Sequence, residues 1–163
     1  MDLMSYIDKG GIIVYILIVL NIIGFTIILW KFFTLPRKNA ILEKIRAKVK
    51  INSSILSQIE YEVKKLESGL TIIKNIATIA PLLGLLGTVI GVLDSFDSIT
   101  KSGLGDPSIF SSGISVALIT TIAGLIVAIP HYIGYNYIVG ILDDIELKIQ
   151  KEVLKKIWKK EKY

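Results

Sequence analysis

Residues 75–93 read NIATIAPLLGLLGTVIGVL, without one Asp, Glu, Lys or Arg and with no aromatic ring. Wound as an α-helix at 1.5 Å per residue, this stretch is about 28 Å long, close to the hydrocarbon thickness of a bilayer. Two further charge-free runs flank it, Gly10 to Trp30 and Pro107 to Leu142, of 21 and 36 residues. The chain is 52% hydrophobic with a mean hydropathy of +0.63, and its apolar residues are gathered in blocks where a soluble domain would spread them periodically. The blocks predict an all-α membrane protein with three transmembrane helices. The third run exceeds what one crossing needs, so its helix is tilted or runs on beyond the lipid.

The charges between the runs set an orientation. Residues 31–74 carry ten Lys or Arg and the tail from Lys148 to Lys162 seven more, whereas Lys9 and Lys101 are the only basic residues elsewhere. By the positive-inside bias this places the N-terminus and the 97–107 link outside, and the basic segments in the cytoplasm. The net charge of +5 is thus accounted for by topology and anionic lipid, and nucleic-acid binding is not expected. One membrane domain over residues 1–163 is predicted, with span one at 12–33, a cytoplasmic helical segment at 37–75 and span two at 76–96. An external loop at 97–107, span three at 108–138 and a basic cytoplasmic tail helix at 139–163 complete it. The first run is too long for a signal-peptide core and ends in Trp30-Lys31-Phe32-Phe33 instead of small residues, so it is expected to remain in the mature protein.

Span one is almost purely aliphatic, broken only by Asn21, Gly24 and Thr26, and is expected to face lipid. In the cytoplasmic segment Ile41, Leu42, Ile45 and Val49 form one apolar stripe. Ile55, Ile59, Val63, Leu66, Leu70 and Ile73 form another at helical spacing. The second stripe runs into Ile76 with only Gly69 as a breaker, which predicts a single long helix entering the membrane as span two. Helix three is expected to start at Pro107 or Ser108 and to continue into the tail, where Leu142, Ile145, Ile149, Val153, Leu154, Ile157 and Trp158 share one side. Helices two and three are both predicted to be long and to extend into the cytoplasm.

Spans two and three differ from span one in carrying stripes of small residues. Pro81, Gly84, Thr88, Gly91 and Ser95 lie three or four apart, as do Gly113, Ala117, Thr121, Gly124 and Ala128, with Gly87 and Gly134 in addition. Lipid supplies no hydrophobic drive for association, so small faces matter by letting backbones approach. They predict close packing with each other, with other copies, or around an inserted element. Thr88 and Thr121 sit at the middle of each stripe, where water or an ion would pass, although a threonine can also return its hydroxyl to a carbonyl one turn back. Thr120 lies off the stripe and is the weaker candidate.

No charged residue lies in the central part of either span, so any titrating group on an ion path must come from another chain. His131, after Pro130, reads as an interfacial residue near the cytoplasmic rim, with a relay role as the alternative. Asp94 and Asp97 read as solvated ends of span two, or as groups that attract cations to an entrance. There is no cysteine and only one histidine. Thiol chemistry is excluded, and no enzyme activity, metal or cofactor is expected.

From Ala80 to Gly91 the chain reads APLLGLLGTVIG, followed by Phe96, which resembles the signature helix of the MotA/TolQ/ExbB proton-channel family. Gly113-Ile114-Ser115, Ala117 to Thr121, Gly124-Leu125, Ala128-Ile129-Pro130 and Tyr135-Asn136 resemble its next helix. The three-span order suits the ExbB and TolQ branches better than the four-span MotA type. The resemblance implies a ring-forming homo-oligomer, a pentamer, in the bacterial inner membrane, with a periplasmic N-terminus and a cytoplasmic C-terminus. The ring would enclose a single-span partner of the ExbD or TolR kind that carries an intramembrane aspartate. It implies proton-pathway roles for Thr88, Thr121 and Thr120, and packing or pore-face roles for Pro81, Gly84, Gly87, Gly91, Ala117, Gly124, Ala128 and Pro130. In the ExbB branch the work passes to a TonB-like protein and outer-membrane uptake. A TolQ-like envelope motor and a purely structural assembly protein are the alternatives. Where these proteins often place a glutamate before the Ala-Leu of helix three, this chain has Val116, so it depends on its partner for a titratable group.

Overall fold

The computed structural model describes residues 3–35, 43, 55–103 and 107–161. Within them the chain forms helices α1 (Leu3–Thr34), α2 (Ile55–Leu66), α3 (Leu70–Ser102) and α4 (Pro107–Glu161), with no strand among the described residues. Three of them, over Tyr6–Thr34, Leu70–Lys101 and Phe110–Lys155, are long and apolar enough to cross a membrane. The 55 residues of α4 make a rod of about 80 Å, far longer than the ~30 Å hydrocarbon core.

Helix α1 bends at Gly11, whose φ of 61° and ψ of −155° are open to glycine at no steric cost. Its apolar surface does not all face outward, contrary to the expectation for span one. Ile13 and Leu17 are buried with Ile76 and Ala80 of α3 and with Val127 and Ala128 of α4. Gly10 and Gly24 permit the approach, since a β-carbon at Gly10 would lie 3.3 Å from Ile119 Cγ2. The opposite face, including Ile12, Val19, Ile22, Trp30 and Phe33, remains exposed.

A second core straddles the end of the charge-free part of α4. Ile59 and Val63 of α2, Leu70 and Ile73 of α3, and Ile138, Leu142, Ile145 and Ile149 of α4 are all nearly inaccessible, with Val153 packed beside them. The helical-period stripes thus meet each other, α2 lying along the tail of α4. Leu154 is exposed; the stripe at Ile41, Leu42, Ile45 and Val49, and the side chains of Ile55, Ile157 and Trp158, lie outside the described residues. On the outward side of α2, Lys65 bonds Glu62 at 3.4 Å and sits 4.2 Å from the Tyr61 ring centroid. Against the lowering effect of desolvation, Tyr61 and Glu62 together hold its pKa above the ordinary lysine value.

The predicted single helix through Gly69 is in fact two. Helix α2 stops at Leu66, a turn follows, and Gly69 takes up φ 85°, ψ −18° before α3 begins. An orphan carbonyl at the end of α2 is satisfied from outside, by Lys31 Nζ of α1 donating to Leu66 O at 2.7 Å. At its other end α3 continues past Phe96 to Ser102, into the predicted loop. Lys101 pairs there with Asp97 at 2.6 Å, and Gly103 N donates to Ile99 O at 2.8 Å. Helix α4 begins at Pro107, as expected.

Candidate functional site: a hydroxyl seam between two helices

The two small-residue stripes face each other across the antiparallel pair α3 and α4. A β-carbon on Gly84 would lie 2.8 Å from Thr120 O and 3.1 Å from Thr121 Cα. One on Gly124 would lie 2.6 Å from Ala80 O. Two turns further along, a β-carbon on Gly91 would come within 2.7 Å of Gly113 O and 3.0 Å of Ala117 N. Backbones this close leave no room for any side chain at these positions, which is why the sequence spells glycine there. Gly87 is occupied in the same way by the Thr120 side chain, and Gly113 by Ser95. Of the three packings the stripes allowed, these residues are engaged in the first, with each other.

Within this seam Thr88 and Thr121 form a pair, their hydroxyl oxygens 2.5 Å apart. Thr88 also lies 3.1 Å from Ala117 O and 3.3 Å from Gly84 O, whereas Thr121 reaches Gly84 O only at 3.5 Å. Each hydroxyl has one hydrogen to give. The shorter alternatives therefore set a direction, Thr121 donating to Thr88 and Thr88 to a carbonyl. Reversing it requires Thr88 to donate to Thr121 and Thr121 to fall back on the long contact. Two hydroxyls with two such arrangements can exchange donor and acceptor roles. Both threonines are half-buried, so the pair keeps contact with the surface of the protomer.

Thr120 is separate from this pair. It is 1% exposed, donates to Ala117 O at 2.9 Å and fills the space over Gly87. Ala117, buried, offers its carbonyl to both Thr88 and Thr120. Ala128 belongs to the core with α1, and Pro81 is half-buried on α3. Pro130 is distant in kind as well as place, lining an apolar groove of about 300 Å³ with Ile28, Phe32 and Tyr137.

His131 is not at an exposed rim. It is fully buried between α4 and α1, its Nδ1 2.6 Å from Val127 O and its ring 5.3 Å from that of Phe25, edge to face. Its Nε2 faces Gly24 and has no hydrogen-bond partner; neither does buried Asn21 Oδ1. Gly24 is visible in the sequence as a break in span one, but nothing local shows that it meets His131. Ser95, 2% exposed with its hydroxyl on Gly91 O at 2.9 Å, completes the end of the seam towards Ser102. No group of three or more His, Asp or Glu that could hold a metal occurs among the described residues.

Three apolar helices of membrane-crossing length, with a polar seam between two of them, define an integral membrane protein. The chain belongs to the MotA/TolQ/ExbB proton channel family, whose model matches residues 31–151. It is 44% identical over 96 residues to a putative biopolymer transport protein ExbB homolog of Methanothermobacter thermautotrophicus, covering 59% of this chain and 33% of that protein. It is 45% identical over 76 residues to the biopolymer transport protein ExbB of Aquifex aeolicus, covering 47% of this chain and 51% of the relative. A putative biopolymer transport protein ExbB-like 1 of Helicobacter pylori is 33% identical over 91 residues, 56% of this chain and 48% of its own. The matches span between a third and a half of these relatives, and within the family the chain is ExbB-like.

Proposed function

We propose that the protein is the channel-forming subunit of a proton-motive-force-driven motor in the bacterial inner membrane, with its N-terminus periplasmic and its C-terminus cytoplasmic. In this reading several copies, five by family resemblance, form a ring around an ExbD-like single-span partner whose aspartate is the titrating group. The output passes through a TonB-like protein to outer-membrane uptake. The observation that carries it is the Thr88–Thr121 hydroxyl pair, set where α3 and α4 have no charged residue nearby. A carboxylate inserted from a partner into such apolar surroundings is pushed toward its protonated form. Its exchange of protons then needs donors and acceptors close by, which threonine hydroxyls supply.

The apolar surface a lone protomer exposes on α3 and α4, including Leu82, Val89, Leu93, Leu118, Ile122 and Ile126, is open to lipid and to other copies alike. A structural reading is favoured by one observation, that the seam glycines Gly84, Gly87, Gly91, Gly113 and Gly124 are engaged within the protomer. Co-purification with the chain carrying a single intramembrane Asp, followed by a mass count of the assembly, separates the two. A multimer that binds this chain and passes protons supports the motor, and a stable monomer indifferent to it defeats the motor. Loss of TonB-dependent uptake on deletion selects the ExbB role, and an envelope-integrity defect alone selects the TolQ role.

A further inference from the structure

On α3, Lys74, Pro81 and Thr88 follow one another seven residues apart, and on α4, Thr121, Ala128 and Tyr135 do the same. Seven residues are nearly two whole turns, so each trio lies along one side of its helix. The helices run antiparallel, and the two trios meet at both ends. Thr88 pairs with Thr121 at 2.5 Å, and Lys74 Nζ lies 6.0 Å from the centroid of the Tyr135 ring. Lys74 thus stands on the same edge of the α3–α4 pair as the hydroxyls, about 21 Å nearer the basic segments. Between the two contacts, Pro81 and Ala128 present no long side chain.

The ammonium has no counter-charge. Lys74 is exposed and makes no ion pair among the described residues, whereas Lys65 and Lys101 pair with Glu62 and Asp97. Tyr135, beside it, lies seven residues inside the end of α4's charge-free run at Leu142, about 10 Å by helical rise. A charge at membrane depth faces water or an opposite charge and not lipid. A lysine that only snorkels turns its ammonium toward the headgroups; this one lies over Tyr135, a weak partner at 6.0 Å.

We propose that this edge docks a membrane helix of another chain at two points, and that Lys74 pairs there with an acidic side chain. The first point is the carboxyl level with Thr88 and Thr121 that the function proposed above calls for, so the pairing rests on that function. The second is an Asp or Glu about 21 Å away on the basic side, about 14 residues along a helix. Lys74 then fixes the depth and rotation of the docked helix, and so holds its first carboxyl at the hydroxyl pair. A phospholipid phosphate carries the same charge, but it lies at the headgroup level, whereas Lys74 stands beside a ring deeper in the apolar band.

The test uses the full chain, co-purified in lipid nanodiscs with the single-span chain that carries one intramembrane Asp. A carbodiimide joins an amine to a carboxylate in contact with it, and should link Lys74 to an Asp or Glu of that chain, located by peptide mass. Lys74→Arg keeps the charge but cannot form the amide, so it should lose the link and keep the affinity. Lys74→Gln should lose the link and weaken binding of the single-span chain about tenfold, as loss of one charged hydrogen bond does. The unfolding midpoint of the chain alone should not move. Lys101→Gln, which removes a charge at the other end of α3, should leave link and affinity intact. Unweakened binding in Lys74→Gln, or a wild-type complex in which Lys74 forms no link, overturns the docking. So does a bound phospholipid, seen by native mass spectrometry, that Lys74→Gln loses while the single-span chain stays. If the wild-type complex forms and passes protons in these outcomes, the docking alone fails. If the wild-type chain retains no single-span chain, the proposed motor fails and the docking with it.

Discussion

His131 Nε2 rests directly against the α-carbon of Gly24, in the space a β-carbon would fill. The imidazole is fully buried there and holds Val127 O through Nδ1 at 2.6 Å, so it cannot step aside without giving up that bond. Gly24→Ala should therefore loosen α1 from α4, costing about 1–3 kcal/mol as overpacking does. Thermal unfolding in detergent measures it. In a double-mutant cycle, His131→Ala should relieve most of the cost of Gly24→Ala, a coupling that independent sites would not show.

Thr88 and Thr121 act as one unit in the seam, because each has the other as its nearest hydroxyl. Thr88→Val and Thr121→Val are each expected to abolish most proton flux of the assembled complex, and the double variant to be hardly worse than either. Each should cost about 1 kcal/mol of stability, the net worth of a hydrogen bond. Thr120→Val should show a comparable stability loss with flux largely kept, since its hydroxyl is bonded back to Ala117 O at 2.9 Å and does not touch the pair. Proteoliposome flux beside unfolding midpoints distinguishes the two classes.

Glycines in the same chain should respond to alanine in opposite directions. At Gly84 and Gly124 the added methyl would meet backbone carbonyls at 2.8 and 2.6 Å, so the helices must part, at about 1–3 kcal/mol each. Gly140 has nothing within 4 Å of its would-be β-carbon. Gly140→Ala is expected to be stabilising by about 0.5–1 kcal/mol, the helix propensity difference. Unfolding midpoints of the three variants check the order.

Lys31→Met should release the end of α2. The ammonium donates to Leu66 O at 2.7 Å across 35 residues of sequence, a charged hydrogen bond worth about 1.5–3 kcal/mol. Faster amide exchange over residues 55–66, and quicker proteolysis in the turn at 67–69, are expected without change in α3. Equal exchange in wild type and variant would show that the apolar contacts of Ile59 and Val63 suffice.

Several features of the molecule are plain from the residue order. Charge-free blocks of bilayer length specify three apolar helices, because hydropathy sums along the chain and needs no partner. The stripes at Ile59, Val63, Leu142, Ile145 and Ile149 mark buried faces for the same kind of reason: helical period is a local property. The glycine stripes mark where backbones come close. They leave open what comes close to them, and the contact between Gly84 and Gly124 is a choice among partners made by the bundle.

Other features have no local signature. A lone glycine in a helical stretch costs only about 1 kcal/mol, so Gly69 could be read either way until Lys31 is found on the Leu66 carbonyl. The division of labour between Thr120 and Thr121 turns on a rotation of about 100° between neighbours on a helix, and His131 is buried because α1 happens to present glycine to it. Composition and periodicity thus settle that this chain lives in a membrane as helices and which faces are small. Which hydroxyls pair, which histidine is enclosed and which ring Lys74 overlies are settled by the relative rotation and register of helices distant in sequence, which only their mutual packing selects.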